Sequence, residues 1–272
     1  MRARRPGPAR GLTTAAAGYR RTVTSPLPPR VRACLFDLDG VLTRTASVHA
    51  AAWKRTFDGV LEAWASRTGA AWRPFDHDDY LRYVDGRIRT DGVRSFLASR
   101  SIQLPDGEPD DPPTRATVHG VSNRKNELLL DELAQHGVEP FDDGVRLLRA
   151  ARAAGLACAV VSASANTAQV LDAAGLADLV DTRIDGIVAR ERRLPGKPAP
   201  DTFLAGAEAL GVAPVATAVF EDAVAGVVAG RAGAFGLVVG VDRVGGDHAD
   251  ALHDAGADVV VSDLDQLRDL VG

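Results

Sequence analysis

Two cysteines in 272 residues, Cys34 and Cys158, are too few for a disulfide scaffold. Each lies inside an apolar run, so buried free thiols in a reducing cytoplasm are expected, and neither stands out as a nucleophile. No stretch approaches the roughly 20 uninterrupted apolar residues of a membrane helix, which excludes a membrane-spanning protein of that kind. Acids are missing altogether from residues 1–30, which hold seven Arg (2, 4, 5, 10, 20, 21 and 30). That leader also lacks an apolar h-region, so it does not read as a secretory signal. Its prolines (Pro6, Pro8, Pro26, Pro28, Pro29) oppose a stable helix. A disordered tail, or a start codon assigned too early, is the plain reading; a targeting segment or an anion-binding arm is the alternative. The net charge of −4 therefore conceals a body at −11. A chain body so acidic does not suit non-specific nucleic-acid binding.

What is present from Val31 onward is an alternating α/β pattern. Short apolar runs at Ala33–Phe36, Ala157–Val161, Thr217–Phe220, Leu237–Val241 and Asp258–Val261 read as buried strands of a parallel sheet. Helical stretches lie between them at Gly144–Ala154, Ala168–Ala173, Asp201–Ala209 and Ala223–Ala232. Several are followed by Gly155, Gly175, Gly211 or Gly233, as helix C-termini tend to be. The expected fold is a doubly wound, Rossmann-like parallel sheet.

Residues 46–137 contain no strand-like run. Helices are expected at Ser47–Trp64, where Trp53, Phe57, Leu61 and Trp64 form one stripe, and at Asp78–Val84, Asp91–Ser99 and Asn123–Gln135. Leu104–Thr114, with four prolines and four acids, reads as a mobile surface loop. The predicted organisation is a leader (1–30), an α/β core (31–45 plus 138–272) and an inserted helical domain (46–137).

The chemistry lies at strand ends. The first strand runs into Asp37-Leu38-Asp39-Gly40, and ligands of parallel sheets bind outside the carboxyl ends of the strands. The plain alternative, a turn with a helix-cap Asp, needs one acid and not two. The pair gains meaning from Glu221-Asp222 at the end of another apolar run, because two acidic pairs in one crevice repel each other without a cation. Magnesium favours carboxylates combined with phosphate and water oxygens. Ser162-Ala163-Ser164-Ala165-Asn166 offers hydroxyls and backbone N–H groups to a phosphate. In Gly196-Lys197-Pro198, a lysine between Gly and Pro can carry a charge into the crevice.

These four segments, in this order, resemble the four motifs of the haloacid dehalogenase superfamily, and the helical insertion resembles its cap. The closer similarity is to the beta-phosphoglucomutase family. Leu42-Thr43-x-Thr45-x-x-x-His49-x-x-x-Trp53 resembles that family's entry into the cap. Asp85-Gly86-Arg87-Ile88-Arg89-x-Asp91 resembles its substrate loop, with Arg89 at the position that grips a distal phosphate. Arg124-Lys125-Asn126 resembles the segment that reaches the sugar phosphate. Arg44, Asp85 and Ala165 depart from the family pattern, as do insertions around Ser66–Asp79 and Leu104–Thr114.

The resemblance implies that Asp37 is the nucleophile of an aspartyl phosphate, with Asp39 as general acid and base. It implies Mg2+ bound by Asp37, the Asp39 backbone carbonyl and Asp222, with Glu221 adjacent. Lys197 would neutralise charge on the transferring group, and Ser162, Ala163, Ser164 and Asn166 would position it. Thr45, His49, Trp53, Arg89, Lys125 and Asn126 would bind the substrate. The expected activity is interconversion of beta-glucose 1-phosphate and glucose 6-phosphate by a cytoplasmic monomer. A sugar-phosphate phosphatase and a non-catalytic sugar-phosphate-binding module remain open as alternatives.

Overall fold

A computed structural model describes residues 31–268. The expectation for the leader (1–30) lies outside the described residues. Six strands form one parallel sheet in the order β3-β2-β1-β4-β5-β6. They are β1 (Ala33–Phe36), β2 (Ala157–Val161), β3 (Thr182–Ile184), β4 (Thr217–Glu221), β5 (Leu237–Val241) and β6 (Val259–Val261). β1 is wholly buried, as expected of a central strand covered on both faces.

Because successive side chains point to opposite faces, β1 feeds two cores. Cys34 and Phe36 pack with Leu147 and Leu148 of α5 (Asp142–Ala153), Val170 and Leu171 of α6 (Thr167–Ala173) and Leu267 of α11 (Asp265–Arg268). Leu35 faces Phe203 of α8 (Asp201–Ala209), Val227 of α9 (Val224–Ala232) and Leu252 of α10 (His248–Asp254). Phe36 and Phe220 stack across the strand pair at 4.7 Å.

Between β1 and α5 lie four helices with a core of their own: α1 (Ala46–Thr68), α2 (His77–Tyr83), α3 (Arg89–Ser99) and α4 (Val118–His136). The stripe expected on α1 forms that core. Trp53 stacks on Phe57 at 4.9 Å, and Phe57 meets Phe75 and Phe96. The two linkers to this insert pair with each other: Arg44 N–H donates to Glu139 O at 2.8 Å and Phe141 N–H to Leu42 O at 2.8 Å. Arg44 also pairs with Glu139 at 3.0 Å and stacks on Phe141, so this departure from the family pattern lies in the linkers. Among the described residues, no helix is long and apolar enough to cross a membrane.

The structure adds to the expected pattern in two places. β3 and α7 (Gly186–Glu191) were absent from the sequence reading, because Thr-Arg-Ile is a three-residue edge strand with an exposed centre and offers no apolar run. The loop Leu104–Thr114 lies on the surface as expected, but one residue anchors it from within. Its Asp111 is buried, accepting from Thr117 Oγ1 at 2.6 Å and Arg115 Nη1 at 2.6 Å, while Asn123 Nδ2 donates to the Asp111 and Pro109 carbonyls. Prolines and acids marked it as non-helical correctly, but the pattern could not reveal the carboxylate that anchors it.

Candidate active site

At the carboxyl end of β1 the chain curls so that Leu42 and Thr43 N–H groups both donate to Leu38 O, at 3.0 and 2.9 Å. Gly40 makes this curl possible, with φ at +92°. A β-carbon there would lie 1.7 Å from Asp222 Oδ2, so Gly40 also clears the space that Asp222 occupies. Arg243 holds the same turn from outside, donating to Gly40 O at 3.1 Å and to Asp143 at 3.0 Å.

Lys197, on the loop before α8, is the electrostatic centre. Its ammonium is buried over the Phe203 ring and donates to Asp37 Oδ1 at 2.5 Å and Glu221 Oε2 at 2.6 Å. Burial alone would drive off its proton, but these two carboxylates outweigh it and the lysine stays charged. One ammonium does not neutralise what surrounds it. Burial pushes Asp37 up to about 6, against the pull of Lys197. Burial and then the Asp37 charge push Glu221 to about 8. Burial followed by Asp85, Asp37 and Glu221 holds Asp222 well above the carboxylate range. Asp85, from the turn after α2, is raised to about 7 by burial, with the nearby Tyr80 hydroxyl opposing the shift.

Asp37, Glu221 and Asp222 bring ligand oxygens within 4.8 Å of one another. This crowd of hard, buried oxygens fits a small divalent cation. Glu221 is already engaged through both oxygens, one by Lys197 and the other by Ala223 N–H at 3.1 Å. That leaves Asp37 and Asp222 as the side chains able to hold the ion. The Asp39 carboxylate is not in this group; the expectation for Asp39 named its backbone carbonyl. The carboxylate turns toward the insert, accepting from Thr45 Oγ1 and, at 3.5 Å, from Ser162 Oγ.

The sign of the pH dependence follows. Asp37, Asp85 and Glu221 hold their protons to higher pH in the folded chain than at their ordinary values of 3.8, 3.8 and 4.5. Between about pH 4 and about pH 8 these carboxyls thus bind more protons in the folded than in the unfolded chain, and their contribution to stability falls as pH rises; His49 and Lys125, whose pKa values burial lowers, oppose this in part. In chelator, the melting temperature is expected to drop from about pH 5 to about pH 8, and magnesium to recover most of the loss at the upper end. A flat profile in chelator would count against the crowding.

The insert completes the site. Thr45 precedes α1 but makes no side-chain cap bond; its hydroxyl serves Asp39 instead of lying in the substrate space first expected for it. His49 Nδ1 accepts from Lys125 Nζ at 3.0 Å, which leaves the ring proton on Nε2, facing Asp39 Oδ1 at 3.6 Å. Nε2 is buried without a hydrogen-bond partner among the described residues, the Asp39 carboxylate being just beyond hydrogen-bond reach. Burial, then Lys125 and Arg89, keep His49 neutral by lowering its pKa well below the usual value. Burial and Arg89 bring Lys125 down to about 7. Asn166 Nδ2 donates to Asn126 Oδ1 at 2.9 Å, linking core and insert.

A cavity of about 490 Å³ lies between the two layers, within the usual range for small-molecule sites. Asp37, Asp39, Glu221 and Asp222 form its floor, with Ala163, Ser164 and Asn166 beside them. His49, Trp53, Arg89, Lys125 and Asn126 come from the insert. Ser162, Lys197 and Thr45 stand behind the lining and touch its acids. Sequence reasoning missed Tyr80, Arg190 and Arg193, which also line the cavity. Tyr80 carried no signal beyond an apolar helix face, and both arginines follow the unrecognised β3.

Comparison with known proteins agrees with this geometry. A family model described as haloacid dehalogenase-like hydrolase matches residues 31–233. A Mycobacterium bovis protein named beta-phosphoglucomutase is 57% identical over 243 residues, covering 89% of this chain and 93% of its own length. One from Mycobacterium tuberculosis matches to the same extent. A beta-phosphoglucomutase structure from Clostridium difficile superposes with a TM-score of 0.68 at 24% identity, over 87% of this chain and 93% of that one. The last comparison speaks to the fold; the mycobacterial identity, with the family match, speaks to the chemistry. The chain belongs to the haloacid dehalogenase-like hydrolase family, as a phosphoryl-transferring enzyme resembling its beta-phosphoglucomutases.

Proposed function

We propose that this enzyme interconverts beta-glucose 1-phosphate and glucose 6-phosphate through an aspartyl phosphate on Asp37, with the helical insert acting as a cap. The observation that carries the reading is the division of labour between the two aspartates. Asp37 lies with Lys197 and the acid cluster, whereas Asp39 faces Thr45, His49 and the cavity.

In the forward half-reaction an Asp37 carboxylate oxygen forms a bond to phosphorus, and the bond from phosphorus to the sugar oxygen breaks. Asp39 gives its proton to that departing oxygen. Burial raises the Asp39 pKa, although Thr45 opposes it, which favours the protonated acid needed at this point. The return half-reaction reverses the roles: Asp39 takes the proton of a second sugar hydroxyl as that oxygen attacks the phosphorus. Lys197 keeps Asp37 oriented and offsets charge on the phosphoryl oxygens. Magnesium held by Asp37, Asp222 and the Asp39 carbonyl would add the remaining positive charge. Ser164 and Asn166 orient the phosphate, and His49 Nε2 is placed to donate to a substrate oxygen beside Asp39. Two buried thiols, Cys34 and Cys158, fit a reducing cytoplasm.

The phosphatase alternative differs only in whether water reaches the aspartyl phosphate. The closed contacts favour exclusion. Ile88 of the insert packs so tightly on Gly196 that a β-carbon there would lie 2.6 Å away, and Gly86 lies against Ala223. A coupled assay of beta-glucose 1-phosphate with catalytic glucose 1,6-bisphosphate and magnesium separates the two. Glucose 6-phosphate should form faster than inorganic phosphate is released; the reverse order assigns the enzyme to the phosphatases.

A further inference from the structure

Four arginines line the cavity, Arg87, Arg89, Arg190 and Arg193, and the side chain of none has a hydrogen bond or ion pair to a described residue. Most described arginines elsewhere pair with acids, as Arg94 does with Asp91 and Asp106, Arg152 with Asp181 and Arg192 with Glu208; Arg190 and Arg193, though exposed, share one chamber with Arg87 and Arg89. Guanidinium groups left without carboxylates around one chamber point to an anion from outside.

Of the four, Arg89 and Arg190 come from different layers. Arg89 opens α3 in the insert, and Arg190 lies in α7 of the core. The start of α7 is fixed on the phosphate-facing loop, since Gly186 N–H donates to Ser164 O at 3.0 Å and its α-carbon has no room for a side chain against Ala163 O. Arg190 follows Gly186 by four residues, so it stands one turn above that anchor on the same side. Ile88, next to Arg89, packs on Gly196 just beyond α7. The Arg190 charge reaches Arg89 across the cavity they both line. Burial and then the Arg190 charge bring Arg89 down to about 10. The Ser164–Asn166 segment carries Ala165 at its centre and so supplies no cation of its own.

We propose that Arg190 is a further substrate-binding residue: with Arg89 it grips the second phosphate of a bisphosphorylated sugar, one guanidinium from the core and one from the insert. The proposal rests on the sugar-phosphate reading above. It assigns the clamp to a core helix as well as to the insert, so that binding of the second phosphate draws the two layers together.

The test uses the full chain with magnesium and two substrates. Glucose 1,6-bisphosphate carries the second phosphate, and p-nitrophenyl phosphate does not. Arg190→Ala should raise the half-saturating bisphosphate concentration roughly 10- to 100-fold, with Arg190→Lys between it and wild type. The loss on p-nitrophenyl phosphate should be at least about tenfold smaller. Arg192→Ala, whose arginine pairs with Glu208 away from the cavity, should match wild type on both. Half-saturation by bisphosphate within about twofold of wild type in Arg190→Ala, or equal losses on the two substrates, overturns the assignment. A wild-type enzyme that does not prefer the bisphosphate overturns the sugar-phosphate reading itself, and the proposal with it.

Discussion

Asp37→Asn is expected to lower turnover by at least about 10⁴-fold while leaving the melting temperature unchanged or higher. The amide cannot serve as the attacking group on phosphorus, but it has the same shape and its oxygen can still accept from Lys197. The substitution also removes one negative charge from a cluster in which Asp37 raises the pKa of both Glu221 and Asp222. Loss of activity with a gain in stability is the behaviour of a site held in electrostatic strain for its chemistry. Turnover and thermal melting on the same preparation check it. Retained turnover, with the substitution verified by mass, would move the nucleophile elsewhere.

Lys197→Met is expected to have the largest effect on stability. Methionine fills a similar volume over Phe203 but leaves Asp37 and Glu221 buried without their shared ammonium. Removing one partner of a buried ionic group costs about 3–5 kcal/mol. For a domain of this size that corresponds to a fall of roughly 10 °C in melting temperature. The deficit should be greatest near pH 8 and shrink toward pH 5, where both carboxyls can take protons and no longer need the cation. Turnover should fall by at least about 10²-fold, because in the proposed mechanism this ammonium orients Asp37 and offsets charge on the phosphoryl oxygens. Denaturant unfolding at several pH values is the measurement. A variant as stable as wild type near pH 8 would show that the acids find other compensation.

The fold was readable where burial leaves a continuous apolar signature. β1, β2 and β5 emerged from the sequence with the bounds they have in the structure, and α8 likewise, because each is a short apolar run or a helical stretch ending before Gly. β3 and α7 were not, since a three-residue edge strand buries little and a six-residue helix has no sustained period. Arg190 was lost with them. The start of α4 was placed five residues late because the signal there is Thr117, which caps the helix by accepting from Gly120 N–H at 3.0 Å.

The candidate site divides along the same line. The identity of the acids, the lysine and the hydroxyls, and their positions at strand ends, were set by the sequence alone, because a parallel sheet delivers those ends to one rim. Which acid does what was decided only by the tertiary structure. Lys197 meets Asp37 across 160 positions of chain and takes Glu221, leaving Asp222 with the open carboxylate. Asp39 turns away to Thr45, and Gly40 and Gly226 clear the space that Asp222 and Glu221 fill. The direction a carboxylate points from a curled loop depends on the surfaces packed around it, and those arrive from distant segments.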